Sequence, residues 1–140
     1  MEEKTTDDLL REMMESDIDS YLSKNESFFM DDSVMELLNK LYKKKKITKA
    51  ALAKKSGMSE VYLHQVFSGR RRPSRDRLLC LCIGLEATLE ETQRLLQQGV
   101  YAQLYVRQKR DSIISHGIIH HLELNEINDI LFGAKEKTLI

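Results

Sequence analysis

Apolar residues along this chain recur every three to four positions and show no sustained alternation, so the pattern predicts helices throughout. From Thr6 to about Leu22 the apolar set Leu9, Leu10, Met13, Met14, Ile18, Tyr21 and Leu22 falls near helical spacing, with acids filling the other face. A loop is expected from Ser23 to Asp32. Ser33 opens the next helix through Val34, Leu37, Leu38 and Leu41, with Glu36 three residues on as in a capping box, and that helix ends in Lys43-Lys44-Lys45-Lys46. The stretch from Ile47 to Gly69 then reads as two short helices joined by a glycine turn and closed by the basic loop Arg70-Arg71-Arg72-Pro73-Ser74. Thr48 and Ser59 stand where N-caps belong, and Gly57 supplies the backbone freedom of a tight turn. Leu52, Ala53, Met58, Leu63 and Val66 share one core, which leaves the outer face of the second helix, 59–67, exposed. Two further helices, Ser74 to about Gly84 and Thr88 to about Gln97, start at hydroxyl caps.

The last third echoes the part before it. A shift of 35 residues aligns Arg75-Asp76 with Arg110-Asp111, Leu78-Leu79 with Ile113-Ile114, Ile83 with Ile118, Leu89 with Leu124, Glu91 with Glu126 and Leu95-Leu96 with Ile130-Leu131. The echo predicts a second helical hairpin, about Val106 to His121 and about Glu123 to Phe132, joined by a connector from Gly99 to Tyr105. Two copies are too few for a solenoid, so they enlarge one core. The resulting domain plan is an acidic helix or arm at 1–32, a helix-turn-helix domain at 33–98 and a C-terminal hairpin at 99–140.

Composition supports an all-α chain that folds without staples: 140 residues, one proline, and two cysteines. Cys80 and Cys82 lie two apart on a helix, where their side chains diverge, so neither redox CxxC chemistry nor a zinc knuckle fits. No apolar run approaches the roughly 18 residues of a membrane span, and the acidic start is unlike a secretory signal, so the expected location is cytoplasmic. The net charge of zero hides a segregation. Residues 1–39 hold 12 acids and 3 bases, a net of −9; residues 40–77 hold 13 bases and 2 acids, a net of +11; the rest carries −2. Local charge governs, because at physiological salt a field reaches only about 8 Å.

The run Leu52-Ala53, Gly57-Met58-Ser59, Leu63, Gly69 and Pro73 resembles the lambda-repressor/Cro-like, or xenobiotic-response-element, family of helix-turn-helix proteins over about Ser33 to Leu96. The longer run from Tyr62 through Leu79, with Leu104-Tyr105 and Arg110-Asp111, is similar to a subgroup with an added C-terminal hairpin. The resemblance implies a bundle that reads operator DNA with the second motif helix in the major groove, commonly as a homodimer. Two positions depart from the pattern: Lys49 replaces the usual glutamine at the start of the first motif helix, and Phe67 replaces the usual glutamate near the loop.

Carried over residue by residue, the resemblance makes Glu60, Val61, Tyr62, His64 and Gln65 the base-reading face. Gln65 suits adenine, Val61 a thymine methyl, and Glu60 cytosine or the positive helix start. Phosphate contacts fall to Lys49, Arg70, Arg71, Arg72 and Arg75, with Lys43 to Lys46 serving either DNA or the helix dipole. About six phosphates per site would give a log-log salt slope near −5. Tyr62 and Val61 also fit simple packing roles. His116, His120 and Glu123 share a helix face but lack a full ligand set, so a solvated face explains them; no metal, other cofactor or catalytic constellation is expected. Two function classes follow: a sequence-specific DNA-binding regulator, or a protein-interaction adaptor on the same scaffold. A hybrid, in which the acidic arm covers the basic face, predicts tighter DNA binding after deletion of residues 1–32.

Overall fold

Capping side chains punctuate the protein where its hydroxyl residues fall. The computed structural model describes residues 5–24 and 33–140, and among these residues it contains nine α-helices and no strand. Two compact units are distinguished, Met1–Asp31 and Asp32–Ile140.

In the first unit, α1 (Thr6–Glu15) begins with a Thr5–Asp8 capping box, and α2 (Ile18–Lys24) follows. The single helix expected to about Leu22 is broken at Ser16. That residue turns extended (φ −117°, ψ 156°), and the Asp17 carboxylate accepts the Ser20 amide at 2.8 Å, starting a new helix. The Ser20 amide and hydroxyl hold the Asp17 carboxyl below its usual range. A Ser-Asp pair competes with the helix backbone in this way because its short polar side chains bond locally. No residue of α1 is buried, and Leu10, Met13 and Met14 are exposed.

The second unit starts with α3 (Ser33–Lys45), which buries Val34, Leu38 and Leu41. Ser33 is its first helical residue; the residue before it, where a cap would sit, lies outside those described. α4 (Lys49–Ser56) is capped by Thr48, whose hydroxyl accepts the Ala51 amide at 3.1 Å. It stops at Gly57, which takes φ 68° so that the Met58 amide can reach back to the Ala53 carbonyl at 3.0 Å. α5 (Glu60–Phe67) is capped by Ser59 and buries Leu63 and Val66.

α6 (Arg75–Gly84) is the centre of this unit: every residue from Leu78 to Gly84 is buried, the mark of a helix surrounded by others. α4 crosses it closely at Gly84, where a Cβ would stand 3.0 Å from Leu52 Cδ1 and 3.3 Å from the Ser56 backbone nitrogen. Both cysteines are free and buried on α6, and burial pushes each thiol up to about 12. α7 (Leu89–Gln98) carries the Thr88–Glu91 capping box.

α8 (Lys109–Ile119) and α9 (Leu124–Gly133) complete the unit. α8 begins three residues later than the periodicity predicts. The Asp111 carboxylate accepts the Tyr105 amide at 3.0 Å, and the Ser112 hydroxyl bonds the Val106 carbonyl, so residues 105 and 106 are held as a turn leading into the helix. α8 and α9 meet at Gly117, which faces the side chain of Ile127.

The echo in sequence is an echo in structure. Arg75 Nε donates to the Ala102 carbonyl and Arg110 Nε to the Lys137 carbonyl, both at 2.8 Å. Leu104 N–H reaches Gln93 Oε1 and Leu139 N–H reaches Asn128 Oδ1, again both at 2.8 Å. Left-handed residues recur at the same interval, Glu86 with His121 (φ 54° and 53°) and Val100 with Lys135 (φ 60° each). Each hairpin therefore ends in an extended tail sewn back onto its own helices.

Candidate nucleic-acid interface

The Ser59 hydroxyl fixes where α5 starts by accepting the Tyr62 amide at 3.1 Å, and this phase decides which side chains face out. With Leu63 and Val66 anchored beneath, Glu60, Val61 and His64 are exposed, and Tyr62 and Gln65 are half-buried. Val61 is 68% exposed, so the helix presents an apolar residue to solvent on the face expected to read bases. The turn after α5 is locked when Gln65 O accepts the amides of Arg70 and Arg71 at 2.9 and 3.1 Å, which sets the basic loop beside the helix end.

Cations then gather on aromatic faces around α5. Tyr62 lies under two guanidinium groups, Arg77 at 4.5 Å and Arg71 at 5.5 Å from its ring centroid. Lys49 sits over Tyr42 and Phe67, 5.1 and 5.3 Å from the centroids, and those two rings are 5.0 Å apart. Phe67 thus forms with Tyr42 an aromatic platform joining α5 to α3, and Lys49 is positioned by that platform at the start of α4.

The arginines expected to hold phosphates divide into two groups. Arg70 and Arg71 are exposed. Arg72 is exposed too, though its guanidinium bonds the Gly99 carbonyl and lies 4.7 Å over the Tyr101 ring, while the Tyr101 hydroxyl bonds the Pro73 carbonyl. Tyr101 therefore clamps the loop from behind. Arg75 is turned inward: it serves the carbonyls of Ala102 and Gln103 at 2.8 and 3.3 Å and the Asp111 carboxylate at 3.1 Å. Its donors are occupied because Asp111 is buried and needs a counter-charge. Among the lysines at the end of α3, Lys44 and Lys45 are paired with Glu91 at 3.1 and 3.2 Å. Burial alone would raise the Glu91 carboxyl, but the Thr88 amide and the two ammonium groups together bring it down to about 2.

Arg77 is the residue that sequence reasoning missed. Its signal was available: Ser74 caps α6 at 3.2 Å from the Arg77 amide, which fixes Arg77 in the first turn. Its neighbour Tyr62 became visible only once α5 and α6 were packed.

A family model described as a helix-turn-helix domain matches residues 8–95. The chain belongs to the helix-turn-helix domain family. No curated protein and no solved structure matched it. In this helix-turn-helix protein of all-α architecture, α4 and α5 pack on each other across the Gly57 turn, α4 packs on the buried α6, and α5 packs on α3. Among the described residues no helix is long and apolar enough to cross a membrane, and no group of three or more His, Cys, Asp or Glu is placed to hold a metal ion. The His116 and His120 rings touch in a tilted arrangement, centroids 4.3 Å apart and planes at 44°.

Proposed function

We propose that this helix-turn-helix protein is a sequence-specific transcriptional regulator of the lambda-repressor/Cro-like kind, acting as a homodimer on duplex operator DNA in the cytoplasm. α5 enters the major groove. Glu60, Val61, Tyr62, His64 and Gln65 read base edges, with Gln65 suited to a bidentate contact on adenine and Val61 to a thymine methyl. Lys49, Arg70, Arg71 and Arg72 contact phosphates, joined by Arg77, whereas Arg75 is assigned a structural role. The domain plan follows the same logic: an acidic arm at 1–32, the reading domain at 33–98 and a supporting hairpin at 99–140.

The observation that carries this reading is the exposed outer face of α5 flanked by Lys49, Arg71 and Arg77, each held over an aromatic ring and without an ion pair among the described residues. A cation held over a ring keeps its charge available to an incoming polyanion, which a salt-bridged cation does not. The inward turn of Arg75 favours the second reading, an adaptor without operator binding, because it thins the positive field. Selection of bound sequences from a random duplex library decides between them. The regulator yields an enriched motif whose recognition relaxes at one base pair in Gln65→Ala, while Arg71→Ala weakens binding to all sequences alike. No enriched motif, with binding no tighter than about micromolar at any salt, assigns the adaptor role.

A further inference from the structure

The two C-terminal hairpins meet reciprocally. Arg75 of the first pairs with Asp111 of the second at 3.1 Å, and Arg110 of the second pairs with Asp76 of the first at 3.0 Å. In the same way α6 packs on α9 as α8 packs on α7. Contacts in which residue i meets j and j meets i define a local twofold and not a translation, so the pair is closed and does not extend as a solenoid. The twofold nevertheless leaves one place unequal. On the first hairpin α3 packs against α7, with Leu37, Leu41 and Lys44 bordering Glu91 and Leu95. On the second hairpin no other helix described in the second unit takes that place.

The burial of equivalent residues records the vacancy. Leu95 is fully buried and its counterpart Ile130 is 42% exposed. Glu91 is paired with two lysines of α3, whereas its counterpart Glu126 is exposed and makes no ion pair among the described residues. Leu81 on α6 and Leu85 at its C-cap are buried, and the residues in their register, His116 on α8 and His120 at its C-cap, are exposed. Two histidines in place of two leucines make the exposed positions polar, while Ile130 remains an exposed apolar residue.

We propose that the outer face of α8 and α9, centred on Ile130 and Glu126, is a docking surface for a basic amphipathic helix of a partner protein, seated on α9 as α3 is seated on α7. The helical form of the partner follows from the equivalence: the matching face of the first hairpin receives a helix through a leucine ridge. Its charge follows from Glu126 and Asp129, both exposed and with no ion pair among the described residues, since the residue equivalent to Glu126 accepts two lysines from the last turn of α3. One helix on one face is a small interface, so the binding is transient, with Kd on the order of 10–100 μM.

The probe is a fluorescein-labelled peptide of residues 33–46, which has the required ridge and lysine-rich end, titrated with the full chain and read by anisotropy. Saturable binding is expected, weakened roughly tenfold or more by Ile130→Asp and several-fold by Glu126→Gln, with duplex DNA binding unchanged in both. Glu126→Gln keeps the oxygen that accepts the Glu123 amide, so the helix start survives. Ile130→Gln serves as the second variant should Ile130→Asp lower the melting temperature. A peptide that merely displaced α3 would be indifferent to Ile130. The proposal is overturned by absence of saturable binding up to about 1 mM, by equal binding to the variants or to a scrambled peptide, or by a dimer that Ile130→Asp dissociates in a chain that binds no peptide, which would give the face to a second copy.

Discussion

Replacing Arg75 with alanine separates a strut from a phosphate contact. The guanidinium donates to both oxygens of Asp111, at 3.4 and 3.1 Å, and to two carbonyls of the connector. Asp111 is 2% exposed, and after the substitution it would keep the Tyr105 amide as its hydrogen-bond donor. Stripping one partner from a buried ion pair costs about 3–5 kcal/mol. The Arg75 side chain is 24% exposed, so water already shares its charge, which brings the expected cost to about 3 kcal/mol. For a unit of this size that lowers Tm by roughly 10 °C. The reciprocal substitution, Arg110→Ala, breaks a pair exposed by 19% and 23% and is expected to cost about 2 kcal/mol. Differential scanning calorimetry measures both. Salt titration of DNA binding, run well below the melting point, supplies the second axis: Arg75→Ala leaves the log-log slope unchanged, whereas Arg70→Ala reduces it by about 0.9 and moves stability by less than about 0.5 kcal/mol. An Arg75→Ala protein that melts within about 1 °C of the parent and loses about 0.9 of salt slope would refute this reasoning, because the arginine would then face solvent and phosphate.

Three further outcomes are expected. Glu91 has a folded pKa of about 2 against an ordinary 4.5, so its contribution is present above about pH 4.5 and is lost as pH falls through 2; after allowance for solvent screening, Glu91→Gln should cost about 1 kcal/mol at pH 7 and clearly less near pH 2, and an equal effect at both pH values in thermal melts would contradict the assignment. Cys80 and Cys82, with thiols pushed up to about 12, should be silent to a disulfide reagent at pH 8 in the native protein and react together on unfolding; fast labelling of either in the folded chain would show that α6 is accessible. Gly84→Ala places a methyl 3.0 Å from Leu52 and should cost about 1–3 kcal/mol, while Gly133→Ala meets nothing within 4 Å and should be neutral or slightly stabilising in urea melts; similar effects of the two would mean that α4 and α6 can separate freely.

Much of the fold could be read from particular residues. Thr48, Ser59, Ser74 and Thr88 cap helices as their hydroxyls predict, Gly57 takes the left-handed turn, and Leu52, Leu63 and Val66 are buried together. These features are local or periodic, so the chain's own spacing contains them. The break at Ser16 was harder to read, because apolar spacing continues across it and only the Asp17 cap interrupts the backbone.

The sequence by itself determined the caps at Thr48, Ser59, Ser74 and Thr88, the outward face of α5 and the 35-residue echo, since each depends on residues a few positions apart or on comparing the chain with itself. Tertiary structure decided the fate of the cations. Arg75 finds Asp111 at 36 residues' distance, Arg72 finds Gly99 at 27, and Arg77 finds Tyr62 on another helix. A long charged side chain takes whichever partner packing brings within reach, buried carboxylate, carbonyl or ring, and only the arrangement of helices says which arginines are left exposed.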